Sequence, residues 1–101
     1  MNGSFDFTGK VALVTGAGRG IGKQIAIRLA SCGATLIIND VIEENAKETS
    51  NQIKQIGGTS MIFIADVSDS NQVENMVKQS IHEFGHIDIL VNNAGISLYR
   101  P

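Results

Sequence analysis

A chain of 101 residues, 43% apolar and 18% charged, has the composition of one globular domain with a modest core. Its formal charge of −2, with eight lysines and arginines scattered along it, excludes the electrostatic footprint of a nucleic-acid or anionic-membrane binder. No apolar stretch approaches the roughly 20 residues that span a bilayer. The N-terminus lacks a secretory signal and the single cysteine, Cys32, excludes an internal disulfide, so a cytoplasmic setting is expected.

The first expected element is a strand over 11–14, Val-Ala-Leu-Val, which breaks into glycines at Gly16, Gly18, Gly20 and Gly22. A helical face begins at Ile21, runs through Ile25, Ala26 and Leu29, and ends near Gly33, with Cys32 expected to pack on its apolar side. A short apolar strand over 36–38 leads to Asp40. The next helix, over 43–56, carries a narrow stripe of Ala46, Thr49, Ile53 and Ile56 and is closed by Gly57 and Gly58. A strand follows over 61–65. The third helix spans 70–84, with Val73, Met76, Val77, Ile81 and Phe84 at helical spacing, Ser68, Asp69 and Ser70 as candidate caps, and Gly85 as its stop. The last strand covers 87–91. None of the four strands alternates with polar residues, which predicts parallel strands buried on both faces.

The pattern is therefore β-α-β-α-β-α-β. Right-handed crossovers place the second and third strands outward from the first, and the fourth returns to its other side, which gives the order 3-2-1-4. The point where the order reverses falls beside the glycine turn. One sheet face would be covered by the 70–84 helix alone, and strand 87–91 would be an open apolar edge, so the chain reads as the first part of a larger sheet.

The turn carries the chemistry. A strand feeding a glycine-rich bend at a helix N-terminus presents backbone N–H groups and the positive end of a helix dipole to an anion. Gly16 lets the chain leave the strand, Gly18 and Gly20 let backbone approach a pyrophosphate, and Gly22 permits close packing of helix on strand. Asp40 lies 18 residues beyond Gly22, where a carboxylate can grip a ribose. Turn and acid together imply a dinucleotide.

Two other strings lead elsewhere. Ala17 to Lys23 approximates a triphosphate-binding loop, but Ala17 replaces its first glycine and Gln24 stands where a magnesium-holding hydroxyl is required. His82-Glu83-Phe84-Gly85-His86 has the letters of a zinc motif, yet it straddles the end of a helix, so the two histidines would not share one face. No metal site is expected.

Thr15-Gly16-x-x-x-Gly20-Ile21-Gly22, Asp40, Asp66-Val67, and Phe84-Gly85-x-Ile87-Asp88-x-Leu90-Val91-Asn92-Asn93-Ala94-Gly95 together resemble the short-chain dehydrogenase/reductase family, from about Thr8 to Ile96. Within it the segment is similar to 3-oxoacyl-carrier-protein reductases and sugar or alcohol dehydrogenases. The resemblance implies an α/β, Rossmann-type doubly wound sheet, present here in part, with residues 1–101 forming a partial NAD(P)-binding domain. It assigns Gly16, Gly18, Arg19 and Ile21 to the cofactor's phosphates and adjoining ribose, and Asp40 to the adenosine ribose. Asp66 would meet the adenine amino group, Val67 would line its pocket, and Asn93 and Gly95 would sit beside the nicotinamide ribose. Asn92 and Ala94 would brace the central strand. Taken singly, Asp66, Asn92 and Asn93 also read as caps at strand ends.

Charge bears on the cofactor. A carboxylate near 4 Å from a 2′-phosphate is repelled by roughly 4 kcal/mol at an effective dielectric of 20, so Asp40 argues for NAD. Arg19 argues for NADP, because its guanidinium suits a 2′-phosphate. NAD is the expected cofactor, with NADP left open.

The family's reaction, interconversion of a carbonyl and an alcohol by hydride transfer, uses a tyrosine with a lysine four positions later, a serine and an asparagine. None can be matched here: Tyr99 and Ser97 lie too early. No catalytic residue is assigned, and the chain alone is expected to be inactive. The expected partners are the dinucleotide and, in the complete protein, a small carbonyl or alcohol substrate, with a homo-oligomer possible. The alternative is a non-catalytic dinucleotide-binding or regulatory module that ends at Pro101.

Overall fold

The computed structural model describes residues 5–93. Its elements follow the alternating pattern: β1 (Val11–Val14), α1 (Gly20–Ser31), β2 (Thr35–Asp40), α2 (Glu43–Gln55), β3 (Thr59–Ile64), α3 (Ser70–Phe84) and β4 (Ile89–Val91). The four strands form one parallel sheet in the order β3-β2-β1-β4. Fold class and strand order are those expected. The class is α/β, a Rossmann-like arrangement present in part.

Both faces of the central strands are covered. Ala12 and Val14 join Leu36, Ile38, Ala26, Ala30, Ala46 and Ile53 in a core beneath α1 and α2. Val11 and Leu13 point the other way, into a core with Ile37, Ala65 and Met76 beneath α3. Burial on both sides of β1 explains why its sequence does not alternate. Each large side chain taken fully out of water there is worth about 1.5–3 kcal/mol.

The helices sit less simply than their apolar spacing suggests. In α1 the buried positions are Gly22, Ala26 and Ala30, while Ile21, expected on the core face, is 72% exposed. Small residues let the helix approach the sheet closely, and that approach fixes its rotation, with Ile21 turned outward beside the glycine bend. The α2 stripe is Ala46, Thr49 and Ile53 as expected, but Ile56 follows the last helical turn and is exposed. In α3, Met76 and Ser80 are buried and Ile81 is exposed, because the helix presents a narrower strip than its apolar residues would cover. Asp69 caps α3, accepting the N–H groups of Asn71 at 2.9 Å and Gln72 at 3.3 Å, and Gly85 ends it in the left-handed conformation.

Strand boundaries shift by one or two residues. β2 extends through Asp40, and β3 begins at Thr59 and pairs with β2 along its length. β4 is shorter than the expected 87–91. Ahead of it, the Asp88 N–H donates to the Val11 carbonyl at 2.8 Å while its carboxylate accepts the Val11 N–H at 2.8 Å. The carboxylate also lies 3.0 Å from His86 Nε2. β4 is an edge strand among the described residues, and Leu90 on it is 67% exposed. No helix among the described residues is long and apolar enough to cross a membrane.

Candidate functional site

Four parallel strands end on one edge of the sheet, and nearly all the residues singled out from the sequence lie along it. Gly16, Gly18, Arg19 and Ile21 follow β1, Asp40 closes β2, Asp66 and Val67 follow β3, and Asn93 follows β4. The strand order reverses between β1 and β4, and the crevice at such a reversal is where open α/β sheets bind ligands. Gly95 and Ala94 lie outside the described residues.

The bend after β1 is fixed from three sides. From β2, the Asn39 carbonyl accepts the Ala17 N–H at 2.8 Å, and Asp40 Oδ2 accepts the Gly18 N–H at 2.8 Å. From α2, the buried Thr49 hydroxyl donates to the Ala17 carbonyl at 2.9 Å. From β4, Asn93 Nδ2 donates to the Gly16 carbonyl at 3.3 Å, and the Asn93 N–H donates to Thr15 Oγ1 at 2.9 Å. Thr15 Oγ1 also lies 3.4 Å from the Val91 carbonyl and 3.3 Å from Asn92 Oδ1. Asn92 thus lies beside Thr15, the residue that follows β1.

The glycines have separate reasons. Gly16 and Gly20 both hold φ near 61°, a backbone state that L side chains rarely adopt. A Cβ on Gly22 would run into the Gly16 carbonyl and come within 2.7 Å of Asn93 Nδ2, so helix and bend can touch only at a glycine. At Gly18 a Cβ would lie 2.6 Å from both Asp40 Oδ2 and Asn45 Cβ. Gly18 is bare because the Asp40 carboxylate and α2 occupy the space where its side chain would be.

The helix that leaves the bend has an open N-terminus. Arg19 at its N-cap makes no side-chain cap, and its first turn holds no acid. The other two helices differ: α2 has Glu43 and Glu44 in its first turn and α3 has Asp69 as cap. Among the described residues, therefore, neither a cap side chain nor a first-turn acid neutralises the leading N–H groups and dipole of α1. Arg19 itself is exposed.

Asp40 is 9% exposed and uses both oxygens, Oδ1 accepting the Ile42 N–H at 3.0 Å and Oδ2 the Gly18 N–H. An ionised carboxylate has about four acceptor positions, so two N–H groups leave capacity for hydroxyl donors. Asp66 is arranged otherwise. It is exposed, and its Oδ1 accepts the Ser68 hydroxyl at 2.7 Å and the Ser68 N–H at 2.9 Å. Those bonds, the hydroxyl's first, hold its carboxyl below the ordinary carboxylate range. Val67 beside it is half-buried.

Lys23 reaches across to Glu48 on α2 at 3.7 Å. His82 lies on α3, while His86 follows the left-handed Gly85 and turns to Asp88. Among the described residues no three His, Cys, Asp or Glu side chains gather as a metal site.

Asn45 and Asn39 belong to the supporting structure though no motif marks them, and Thr49 and Asp88, which the sequence places in a helical stripe and a family motif, join them there. Asn39 Nδ2 donates to the carbonyls of Phe63 and Ala65, both at 3.1 Å, tying the end of β3 to β2. A polar residue within an apolar strand, and a threonine within an apolar helical stripe, were the available signals.

A parallel sheet that reverses order beside a glycine bend and an uncapped helix defines a Rossmann-like nucleotide-binding class of protein. The sequence profile of short chain dehydrogenases matches residues 10–101. The chain belongs to the short-chain dehydrogenase/reductase family and corresponds to its N-terminal portion. An uncharacterised oxidoreductase of Thermotoga maritima is 49% identical over 94 residues, covering 93% of this chain and 37% of that protein. A 7α-hydroxysteroid dehydrogenase solved with NADH and 7-oxo glycochenodeoxycholic acid superposes with a TM-score of 0.85 at 34% identity, covering 91% of this chain and 36% of that one. A metagenomic short-chain oxidoreductase solved with NADP gives 0.86 at 36% identity, covering 89% of this chain and 41% of that one. The chain thus spans well under half the length of these relatives, and the two solved structures hold NADH and NADP respectively.

Proposed function

We propose that this chain binds a nicotinamide dinucleotide, NAD in preference to NADP, as the cofactor-binding portion of an oxidoreductase that interconverts a carbonyl compound and an alcohol. The observation that carries the reading is the uncapped N-terminus of α1 at the reversal point, with the Asp40 carboxylate bonded to Gly18 beside it. The leading N–H groups of α1 and the bend Gly16–Gly18–Arg19–Ile21 receive the diphosphate. Asp40 accepts the adenosine ribose hydroxyls and repels a 2′-phosphate. Asp66 and Val67 are assigned to the adenine end, and Asn93, with Gly95 by the family motif, to the nicotinamide ribose. The bound dinucleotide supplies or accepts the hydride.

This chain's own part is to bind, orient and select. No residue in it is assigned to proton transfer, and turnover belongs to the whole protein. Arg19 favours a second reading, NADP, because its exposed guanidinium stands next to the bend. Calorimetric titration with NADH and with NADPH separates the two. Tighter NADH binding is expected; tighter NADPH binding reverses the choice, and a folded protein that binds neither removes the proposal.

A further inference from the structure

The peptide group joining Ala17 to Gly18 is held at both of its polar ends. Its carbonyl accepts the Thr49 hydroxyl at 2.9 Å, and its N–H donates to Asp40 Oδ2 at 2.8 Å. In a trans peptide these two bonds point in opposite directions, so together they fix the rotation of the plane.

We infer that Thr49 is a positioning residue for cofactor selection, acting on Asp40 through the Ala17–Gly18 peptide plane. The inference rests on the ribose role given to Asp40 above. Thr49 is fully buried in a stripe otherwise formed by Ala46 and Ile53. Valine would fill the same volume, so packing alone does not require the hydroxyl. A helical threonine commonly turns its hydroxyl back to its own helix; this one spans to a residue 32 positions earlier. Asn45, one turn before it, fills the space beside Gly18 and leaves that residue no room to move toward α2.

Without the hydroxyl, the buried Ala17 carbonyl loses this donor and the plane is free to turn toward another. Turning it carries the Gly18 N–H away from Oδ2. Asp40 then keeps its bond to Ile42 at Oδ1 but loses the one that orients its second oxygen. The carboxylate swings, the ribose hydroxyls lose a placed acceptor, and a 2′-phosphate meets less fixed repulsion.

The test measures NADH and NADPH affinities of the protein by fluorescence titration for wild type, Thr49→Val, Thr49→Ser, Asp40→Ala and the Asp40→Ala/Thr49→Val double variant, each with a native circular-dichroism spectrum. Thr49→Val is expected to lower the NADH-over-NADPH ratio about fivefold, the factor carried by one hydrogen bond of typical net strength. Thr49→Ser restores the ratio, and in the Asp40→Ala background the valine changes it no further. If Asp40→Ala shifts the ratio and Thr49→Val does not, or Thr49→Val weakens both cofactors equally, the inference is overturned and the ribose reading stands. If Asp40→Ala leaves the ratio unchanged, the ribose reading fails and takes the inference with it. A measurement on wild type covers the case in which the valine variant does not fold. A through-hydrogen-bond coupling between the Gly18 amide nitrogen and the Asp40 carboxyl carbon is expected by NMR, and its absence overturns the inference.

Discussion

On the face of the sheet beneath α1 and α2, Val14, Leu36, Ile38 and Ile53 are fully buried, and Gly22, Ala26 and Ala30 bring α1 close to the strands. On the face beneath α3, Met61 and Phe63 are only half-buried and line a groove of about 520 Å³ with Lys78 and His82. Ser80 adds a buried hydroxyl there with no hydrogen-bond partner among the described residues. The side beneath α3 is thus close-packed at Leu13, Ile37 and Met76 but slack where β3 meets the groove, and the bend is fastened to the opposite side through the Thr49 hydroxyl. The difference teaches where precision is needed. A diphosphate cradle made of backbone must be held to within a fraction of an ångström, and only tightly packed neighbours hold it so.

That contrast can be broken or sharpened by substitution. Ile53→Ala, in the close-packed core, is expected to cost about 2–5 kcal/mol in a denaturant melt; Met61→Ala at the slack groove is expected to cost well under half of that. Equal losses would erase the distinction. Gly22→Ala forces a Cβ against the Gly16 carbonyl and is expected to cost about 1–3 kcal/mol with loss of measurable NADH binding. Full binding by that variant would mean the helix can withdraw from the bend without consequence.

Smaller effects follow at the two strand-end acids. Asp40→Ala is expected to change the ratio of NADH to NADPH affinity about tenfold toward NADPH, equivalent to roughly 1.4 kcal/mol. Asp66 is the counterpart on the β3 side, exposed and bonded to its own loop. Its carboxyl is held below the ordinary range, so any stability it adds is present above that range and lost as pH falls through the lowered value. A carbon-13 titration should find the lowered value, and Ser68→Ala should raise it toward the ordinary one. Ser80→Ala closes the series. Removing an unpartnered buried hydroxyl should leave stability within about 0.5 kcal/mol of wild type or raise it slightly, and a clear loss would reveal a partner for that oxygen.

Legibility followed the range of the interactions. The α3 helix was readable from residue to residue because its cap, Asp69, and its stop, Gly85, act on adjacent backbone. β1 was readable because an uninterrupted apolar run with both faces covered has one plain interpretation. The residues singled out for the site fall along one edge of the sheet because the bend, Asp40 and the Asn92-Asn93 pair each stand at the end of a strand. Ile21 departs from the inward position its spacing predicts because the rotation of α1 is decided by where its small residues touch the sheet. Thr49 fits an apolar stripe by spacing, but its hydroxyl bonds the Ala17 carbonyl, which the linear pattern does not bring near it. Asn39 and Asp88 share that difficulty, since their partners lie on other strands.

Asp88 sets a zero mark for β4. Its carboxylate and N–H both engage Val11, so the count along the strand starts at one defined rung. Asn93 comes five residues later, roughly 16 Å along an extended chain, which is the depth at which it meets Gly16. A slip of a single rung would displace Asn93 by about 3.3 Å and turn its amide to the opposite side of the sheet. An acid at the bottom of the sheet thereby gauges the reach of an amide at the top.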